Sequence, residues 1–282
     1  MRYFIIMFLL GIIVGCTPNL PYIPPFEGEK IFVESYLGPS EIATVNVGRT
    51  FAIGEVPKIT YLDNAEVELW QNGVKIEVLK HKEKGVYQSP SKFKPKAGSQ
   101  YALKIRASGF PSVESESVSV PAPYPLQKIE TFETTGINKG TKAMGIRIIP
   151  QTNQQTYYLY RISTYLGTQI FGSIWEIGKE REVLDKCQFR SILYFTRCGG
   201  SVSYGFETER NEYTGPGRAK ISSAYAELYV LSQSYYDFHY NQKQQPTYLG
   251  RAFVEPFESY TNIKGGYGVL ATFNKTEVKL PL

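Results

Sequence analysis

Residues 65–78 read Ala-Glu-Val-Glu-Leu-Trp-Gln-Asn-Gly-Val-Lys-Ile-Glu-Val, and this stretch predicts the fold class. Apolar and acidic side chains alternate over 65–69, as they do in a strand with one buried face. Asn72-Gly73 is the strongest short signal for a two-residue hairpin turn. Beyond the turn, apolar side chains recur at every second position and predict the return strand: Val74, Ile76 and Val78.

The region around this hairpin, residues 30–121, repeats the pattern of short strands separated by turns. Strand-like segments begin at Ile31, Gly85 and Gly98, and Val113 to Val120 alternates again. Several strands at regular turn spacing within about ninety residues are typical of a β-sandwich. We therefore predict an immunoglobulin-like or transthyretin-like sandwich over 30–121.

Pro121-Ala122-Pro123-Tyr124-Pro125 marks a predicted domain boundary, since three prolines in five residues do not enter a central strand and favour a semi-rigid hinge. The second region, 126–282, is predicted to be β-rich, with strands such as 143–149 and 155–165. It also carries one predicted amphipathic helix near 223–240, where Leu228, Leu231, Tyr235 and Phe238 recur at helical spacing. A serine at 222 or 223 is the predicted N-cap, Pro246 is the predicted stop, and the aromatic stripe is expected to pack on a sheet.

The N-terminus predicts secretion. Arg2 precedes an apolar run from Tyr3 to Val14, which is too short to span a bilayer and matches a signal peptide over residues 1–15. Gly15-Cys16 resembles a bacterial lipobox, in which the cysteine is lipidated, for instance with palmitate. An ordinary secretory signal with a chance cysteine is the alternative.

Residues 16–29 are predicted to form a spacer behind the lipidated cysteine. Four prolines between 18 and 25 favour a stiff, extended segment that lifts a folded body off the membrane. The first acidic residues after Cys16 are Glu27 and Glu29, so no acidic run follows the cysteine directly. Whether the body faces the periplasm or the cell surface therefore stays open.

The composition narrows the function classes. The net charge of +5 is scattered without a long basic run, which argues against nucleic-acid binding. The 22 tyrosines and 16 phenylalanines suit pleated, half-buried strands. They also suit a protein interface or a surface that binds glycans, and the sequence leaves both interpretations open.

Beyond Cys16 the chain has two cysteines, Cys187 and Cys198, and an oxidising compartment favours their pairing in a disulfide. If residues 188–197 formed one extended strand, the two sulfurs would lie about 35 Å apart. A disulfide needs Cα atoms within about 7 Å, so pairing requires a chain reversal between the two cysteines.

The sequence offers little catalytic equipment, and we predict no catalytic residues, no metal site and no cofactor. His81 is expected to be solvated at a charged hairpin tip, and His239 to end the helix, where a cation suits the helix dipole. Neither lies at metal-ligand spacing from another ligand, and no nucleophile elbow or phosphate-binding glycine loop is present. Glu207 and Glu209 would share a strand face, which is usual for solvated acids.

Several motifs resemble one known family. They are the segments 63–69, 85–87 and 98–103, the predicted helix, and Thr261-Asn262-Ile263-Lys264-Gly265-Gly266-Tyr267-Gly268-Val269-Leu270. With the lipobox, they resemble Bacteroidota lipoproteins of the domain of unknown function 4249 family. Members of that family are often encoded beside TonB-dependent receptors, so the resemblance implies a role in uptake at the outer membrane. It carries over no catalytic residues.

Three functions compete on this basis. The first is a non-catalytic accessory or binding subunit, anchored to the outer membrane by its N-terminal lipid and working beside a TonB-dependent receptor in nutrient uptake. The second is a glycan-binding or surface-adhesion module, with a glycan or a peptide as ligand. The third is a hydrolase with dispersed carboxylates, which would require a convergent pair of buried acids in a cleft.

Overall fold

The computed structural model describes residues 26–52, 60–125, 129–135, 142–148, 156–166, 169–179, 193–198, 201–207, 222–244 and 260–279. These residues form strands with one described helix, which confirms the mainly β class. In this part of the chain, no helix is long and apolar enough to cross a membrane.

The strands are short in the first half of the chain and longer in the second. The first eight are β1 Ile31–Leu37, β2 Thr44–Arg49, β3 Glu66–Gln71, β4 Val74–Glu83, β5 Val86–Gln88, β6 Gln100–Arg106, β7 Val113–Ser115 and β8 Val118–Ser119. The others are β9 Ile129–Thr135, β10 Lys142–Ile148, β11 Tyr157–Leu166, β12 Gln169–Lys179, β13 Leu193–Cys198, β14 Ser201–Glu207, β15 Ser223–Leu231, β16 Ile263–Lys264 and β17 Tyr267–Lys279. The helix, α1, is Gln233–Gln244.

Two sheets contain the described strands. The larger has the order β12-β11-β15-β17-β1-β2-β5-β4-β3-β6-β7-β16, with β8 paired to β6. The smaller is antiparallel, with the order β13-β14-β10-β9. In the larger sheet β17 pairs with β1 in parallel and β16 pairs with β7. Because a two-residue turn joins β16 to β17, the strands from β17 through β1 to β16 form a closed ring.

The inside of this ring is the main hydrophobic core. Apolar side chains from distant strands along the path pack in one cluster, which requires the sheet to curl on itself: Ile31, Val45, Val67, Leu103 and Ile263. Each is buried. The immunoglobulin-like or transthyretin-like sandwich predicted for 30–121 stays a prediction. Here the strands of this region are hydrogen-bonded in one continuous order, and β16 and β17 complete the ring.

The segment 261–270 closes the ring through the side-chain amide of Asn262 and the missing side chain of Gly268. The Asn262 amide accepts a hydrogen bond from Leu270 N at 2.9 Å and donates one to Leu270 O at 2.8 Å. Gly268 has a φ of +107°, and a Cβ there would lie 1.9 Å from the carbonyl oxygen of Val33. The close approach of β17 to β1 therefore depends on the missing side chain of Gly268.

The predicted helix is present but begins ten residues later than expected. Residues 223–231 form β15, which pairs with β11 and with β17, and only 233–244 are helical. Ser232, rather than a serine at 222 or 223, is the N-cap, since its Oγ accepts from Tyr235 N at 3.3 Å. The spacing of the apolar residues over 223–231 is compatible with a helix and with a strand. Pairing with β11 on one side and β17 on the other favours the strand.

The aromatic side chains of α1 pack on the sheet, as predicted. Tyr236 is buried against Leu231 and Phe273, and Phe238 is buried against Val269 and Ala271. The helix therefore covers one face of the sheet along β17, and Tyr236 and Phe238 belong to the core, whereas Tyr240 is exposed.

The proline-rich segment 119–125 is fastened to β17 and is not a free hinge. Thr272 Oγ1 donates to Ser119 O at 2.6 Å, Asn274 Nδ2 to Pro121 O at 3.0 Å, and Thr276 Oγ1 to Tyr124 O at 3.1 Å. Prolines have no N–H for a ladder, so the polar side chains of β17 bond to carbonyl oxygens instead. The division into 30–121 and 126–282 stays a prediction, although the strand pairing crosses it.

The hairpin predicted at 65–78 forms, with its turn at Asn72 and Gly73. The register passes from the pair Leu69–Glu77 to the pair Trp70–Lys75 and so skips Ile76. This bulge interrupts the expected alternation, and Ile76 is exposed.

We expect Gly268→Ala to destabilise the protein by more than about 3 kcal/mol, because the added methyl group collides with the backbone of β1 and the positive φ is strained. Gly98→Ala is the matched control, since Gly98 also has a positive φ (+78°) but open space around its Cβ position. The control should cost about 1 kcal/mol. Urea unfolding of both variants measures the difference, and equal losses would contradict the closure described above.

Candidate functional site

The predicted lipid and disulfide residues are only partly within the described residues. Cys16 and Cys187 lie outside them, and Cys198 ends β13, where it pairs with Ser201 of β14. Glu207 ends β14 and Glu209 lies outside the described residues. Lipidation at Cys16 and the Cys187–Cys198 disulfide therefore stay predictions.

His81 lies near the end of β4, where it is exposed as expected, and it also has a defined partner. Its Nε2 lies 2.8 Å from Asp63 Oδ1, and the same oxygen accepts from Gly85 N at 2.7 Å. Asp63 thus joins β4 to the turn at Gly85, where a Cβ would lie 2.3 Å from Val47 O. This group holds a tight turn and explains the Asp63 and Gly85 motifs in structural terms.

His239 lies inside α1 rather than at its end, because the helix continues to Gln244. Its ring stacks on Tyr36 at 5.5 Å and contacts Tyr235 at 4.8 Å between centroids. Burial raises the pKa of Tyr235 to about 12, so this hydroxyl stays neutral at physiological pH. The histidine belongs to the aromatic packing under the helix. Among the described residues, no group of three or more His, Cys, Asp or Glu is placed to hold a metal ion.

Beyond the part of the sheet that α1 covers, β11, β15 and β17 carry a half-buried surface of tyrosines and charges. We name it the tyrosine–ion face, and its residues are Arg161, Tyr165, Tyr225, Glu227, Tyr229 and Lys275. Side chains of β15 alternate: Tyr225, Glu227 and Tyr229 point to this face. The small and aliphatic side chains between them are buried on the opposite face.

Glu227 is the centre of the tyrosine–ion face. Its side chain is only 6% exposed and is paired with Arg161, directly across the strand, and with Lys275 Nζ at 3.1 Å. Burial alone would raise the pKa of Glu227, but the hydrogen bonds from the two cations outweigh burial and lower it. The carboxylate therefore stays ionised and fixes both cations.

The aromatic rings are ordered around this ion cluster. The Arg161 guanidinium lies 5.9 Å from the centroid of Tyr229, and Tyr165 meets Tyr225 edge to face at 5.7 Å. Arg161, Tyr225 and Tyr229 stand on segments of β11 and β15 that are paired on both sides, which favours fixed side-chain positions. The Tyr and Arg residues of this surface are types enriched at protein interfaces.

A second carboxylate-centred cluster lies on the outer side of β3, β4 and β6. Glu68, 6% exposed, accepts from Trp70 Nε1 at 3.0 Å and pairs with Lys75 at 3.3 Å and Arg106 at 2.8 Å. Burial alone would raise the pKa of Glu68, but these bonds outweigh burial, so the pKa lies below its ordinary value. Lys104 Nζ lies 4.3 Å from the Trp70 ring. The cluster resembles the tyrosine–ion face in its electrostatics, but the aromatic ring that takes part in it is a tryptophan.

A third surface is the tether end, the end of the sheet at which β1 begins. It carries three exposed aromatic rings, Phe26, Phe51 and Tyr267. A cavity of about 530 Å³ opens beside Phe51, which lines it together with residues such as Phe32, Arg49, Tyr61 and Lys84. Arg49 is paired with Glu29, and Lys30 bonds to Glu27 at 2.5 Å.

The tyrosine–ion face was not predicted, because its three charged residues come from strands far apart in the chain. One local signal was present: Tyr225, Glu227 and Tyr229 alternate with small or apolar residues. Read at a period of two, this segment indicates a strand with a charged side chain on a semi-exposed face.

These features define a mainly β protein with a closed ring of strands and an exposed aromatic and ionic surface. The sequence profile of the family described as Domain of unknown function (DUF4249) matches residues 16–279, and the chain belongs to this family. The match confirms the family that the sequence motifs indicated. No curated protein matches the sequence.

We expect Glu227→Gln to lower the free energy of unfolding by about 1–3 kcal/mol near neutral pH, because Arg161 and Lys275, which are hydrogen-bonded to this buried carboxylate, lose their counter-charge. A glutamate whose pKa is lower in the folded than in the unfolded protein contributes its full stabilisation above the unfolded pKa of about 4.3. This contribution to the free energy of unfolding is lost as the pH falls through the pKa of the folded protein. The difference between wild type and variant should therefore shrink below about pH 4.

Urea unfolding at a series of pH values measures this difference. Glu277→Gln is the matched control, since Glu277 shares Lys275 but is 47% exposed, and we expect it to cost less than about 0.5 kcal/mol. A Glu227→Gln deficit that stays constant down to about pH 3 would contradict the assignment of Glu227 as the ionised centre.

Proposed function

We propose that this protein is a non-catalytic lipoprotein of the outer membrane, which serves as an accessory or binding subunit beside a TonB-dependent receptor in nutrient uptake. The tyrosine–ion face is the proposed contact surface for the receptor. The observation that carries the proposal is the fixed arrangement of Arg161, Tyr225 and Tyr229 around the buried carboxylate of Glu227.

The fixed side chains of this surface lower the entropic cost of binding a partner. Arg and Tyr contribute most to interface energetics when their side chains are already held in place. Arg161 is fixed by Glu227 and by the Tyr229 ring, so little conformational entropy is lost when a partner covers it. Its side chain is still 43% exposed, which leaves donors and ring surface for a partner.

Two buried carboxylates among the described residues support binding over acid catalysis. Glu68 and Glu227 both have a lowered pKa, and each is paired with two cations. A general acid near neutral pH needs the opposite shift. These glutamates are therefore poor proton donors, and their role is to fix charged side chains on the surface.

The test uses the full chain with an affinity tag, purified in mild detergent from outer membranes, with the co-purifying TonB-dependent receptor quantified by mass spectrometry. We expect Arg161→Ala and Tyr225→Ala each to lower receptor recovery about tenfold or more, the loss for a hot spot of at least about 1.4 kcal/mol. Arg106→Ala is the matched control, since Arg106 pairs in the same way with the buried Glu68.

Unchanged recovery for both variants, or an equal loss for the Arg106→Ala control, would contradict the proposed contact surface. Tyr225→Ala leaves the three-residue ion cluster intact and so separates a lost contact from a disturbed fold. Circular dichroism of each purified variant checks that its β structure is retained.

The membrane anchor is a separate part of the proposal. We expect Cys16→Ala to abolish incorporation of labelled palmitate and to remove the protein from the outer-membrane fraction, because the thiol is the proposed attachment point of the lipid. Cys198→Ala is the control and should leave both readouts unchanged. A Cys16→Ala protein that still takes up the label and sediments with outer membranes would contradict the anchor.

Glycan binding is the second candidate, favoured by the tyrosine rings that the tyrosine–ion face presents beside charged groups. Aromatic rings stack on sugar rings, and fixed charges bind their hydroxyls. A glycan array and calorimetry on the full chain test it. Binding that Tyr225→Ala removes would favour this candidate, and a flat response would leave the receptor contact as the better explanation.

A further inference from the structure

We propose that the tether end rests on the bilayer, with the rings of Phe26, Phe51 and Tyr267 in the lipid headgroup layer. This inference rests on the lipid anchor of the proposed function and adds an orientation to it. The partner is the zwitterionic or weakly charged surface of the membrane that holds Cys16.

The first observation is that the three rings share one end of the sheet. Phe51 follows Thr50, whose N–H donates to Lys30 O at 2.9 Å, and Tyr267 pairs with Phe32 in the register of β1 and β17. The Lys30 ammonium lies 5.3 Å from the Tyr267 ring and bonds to Glu27, next to Phe26. The exposed fractions are 48% for Phe26, 44% for Phe51 and 39% for Tyr267.

The second observation is the short distance along the chain to the lipid attachment point. Phe26 lies ten positions after Cys16, and such a segment spans at most about 35 Å when fully extended. The end of the sheet that follows it is therefore held close to the membrane, within about 35 Å of the proposed lipid attachment point. Exposed aromatic rings are favourable there, because aromatic side chains prefer the membrane–water interface.

The charges at the tether end indicate which kind of contact this is. Lys30 is paired with Glu27, and Arg49 with Glu29, so two of the nearby cations are neutralised by acids of the same surface. Attraction to anionic lipids needs several unpaired cations close to the surface. Insertion of the rings is therefore the main contact, and it should persist on neutral lipids and at high salt.

This orientation places the tyrosine–ion face away from the bilayer. Tyr267 begins β17 at the tether end and Lys275 follows eight residues along the same strand. At about 3.3 Å per residue, the two positions lie about 26 Å apart along the strand. Arg161 and Tyr225 would then stand clear of the headgroups, where a membrane-embedded receptor can present its exposed loops.

The test measures tryptophan quenching by brominated lipid. The full lipidated chain is reconstituted into vesicles of phosphatidylcholine brominated on its acyl chains, and quenching beyond that of the native Trp70 and Trp175 is recorded. We expect the tryptophan introduced by Phe51→Trp to lose at least half of its fluorescence in the brominated vesicles. This quenching should be the same in about 1 M salt, where surface charges are screened.

Val74→Trp is the matched control, since Val74 is 65% exposed and begins β4, whose other end, Glu83, lies near the tether end. The ten residues of β4 place Val74 about 30 Å from that end, so we expect no added quenching. Equal quenching at both positions, none at Phe51→Trp, or a loss of quenching at high salt would overturn the inference.

Two checks separate this inference from the proposed function. The intact mass of the protein and its flotation with the vesicles report on the lipid at Cys16 alone. An unlipidated chain that fails to float contradicts the anchor, whereas a lipidated chain that floats without quenching at Phe51→Trp contradicts only the orientation.

Discussion

The parallel pairing of β1 with β17 is the interaction on which the rest of the structure depends. It joins the first described strand to the last and turns an open path of strands into a ring with a single core. The pairing is possible because Gly268 lets the backbone of β17 approach Val33, and because the Asn262 amide substitutes for a ladder partner at Leu270. The glycines and asparagine of this segment thus have a structural explanation, and they need no catalytic one.

The same strand organises the surfaces that the proposal uses. β17 begins with Tyr267 at the tether end, fastens the segment 119–125 with three polar side chains, and carries Lys275 of the tyrosine–ion face near its other end. Because one strand links these features, the distance from Tyr267 to the proposed receptor contact is set by the strand. In the proposed function, this distance would hold the contact surface at a defined height above the membrane.

Local patterns in the sequence were sufficient for the class of fold and for most strands. Strands predicted at 143–149 and 155–165 are found at 142–148 and 157–166, since alternation and aromatic content are properties of neighbouring residues. The predicted start of the helix was wrong, because residues 223–231 pair with a strand on each side only after distant parts of the chain assemble. The ring closure and the group formed by Arg161, Glu227 and Lys275 depend on such long-range pairing, and no local pattern encodes it.

The closing strand β17 is made after the other described strands, and this order constrains how the chain folds. Until residues 260–279 have been made, β1 lacks its neighbour on one side and the core stays open there. The core therefore cannot be completed while earlier residues are still being synthesised. Contacts so distant in sequence form slowly, so we expect the pairing of β17 with β1 to limit the rate at which the body becomes compact.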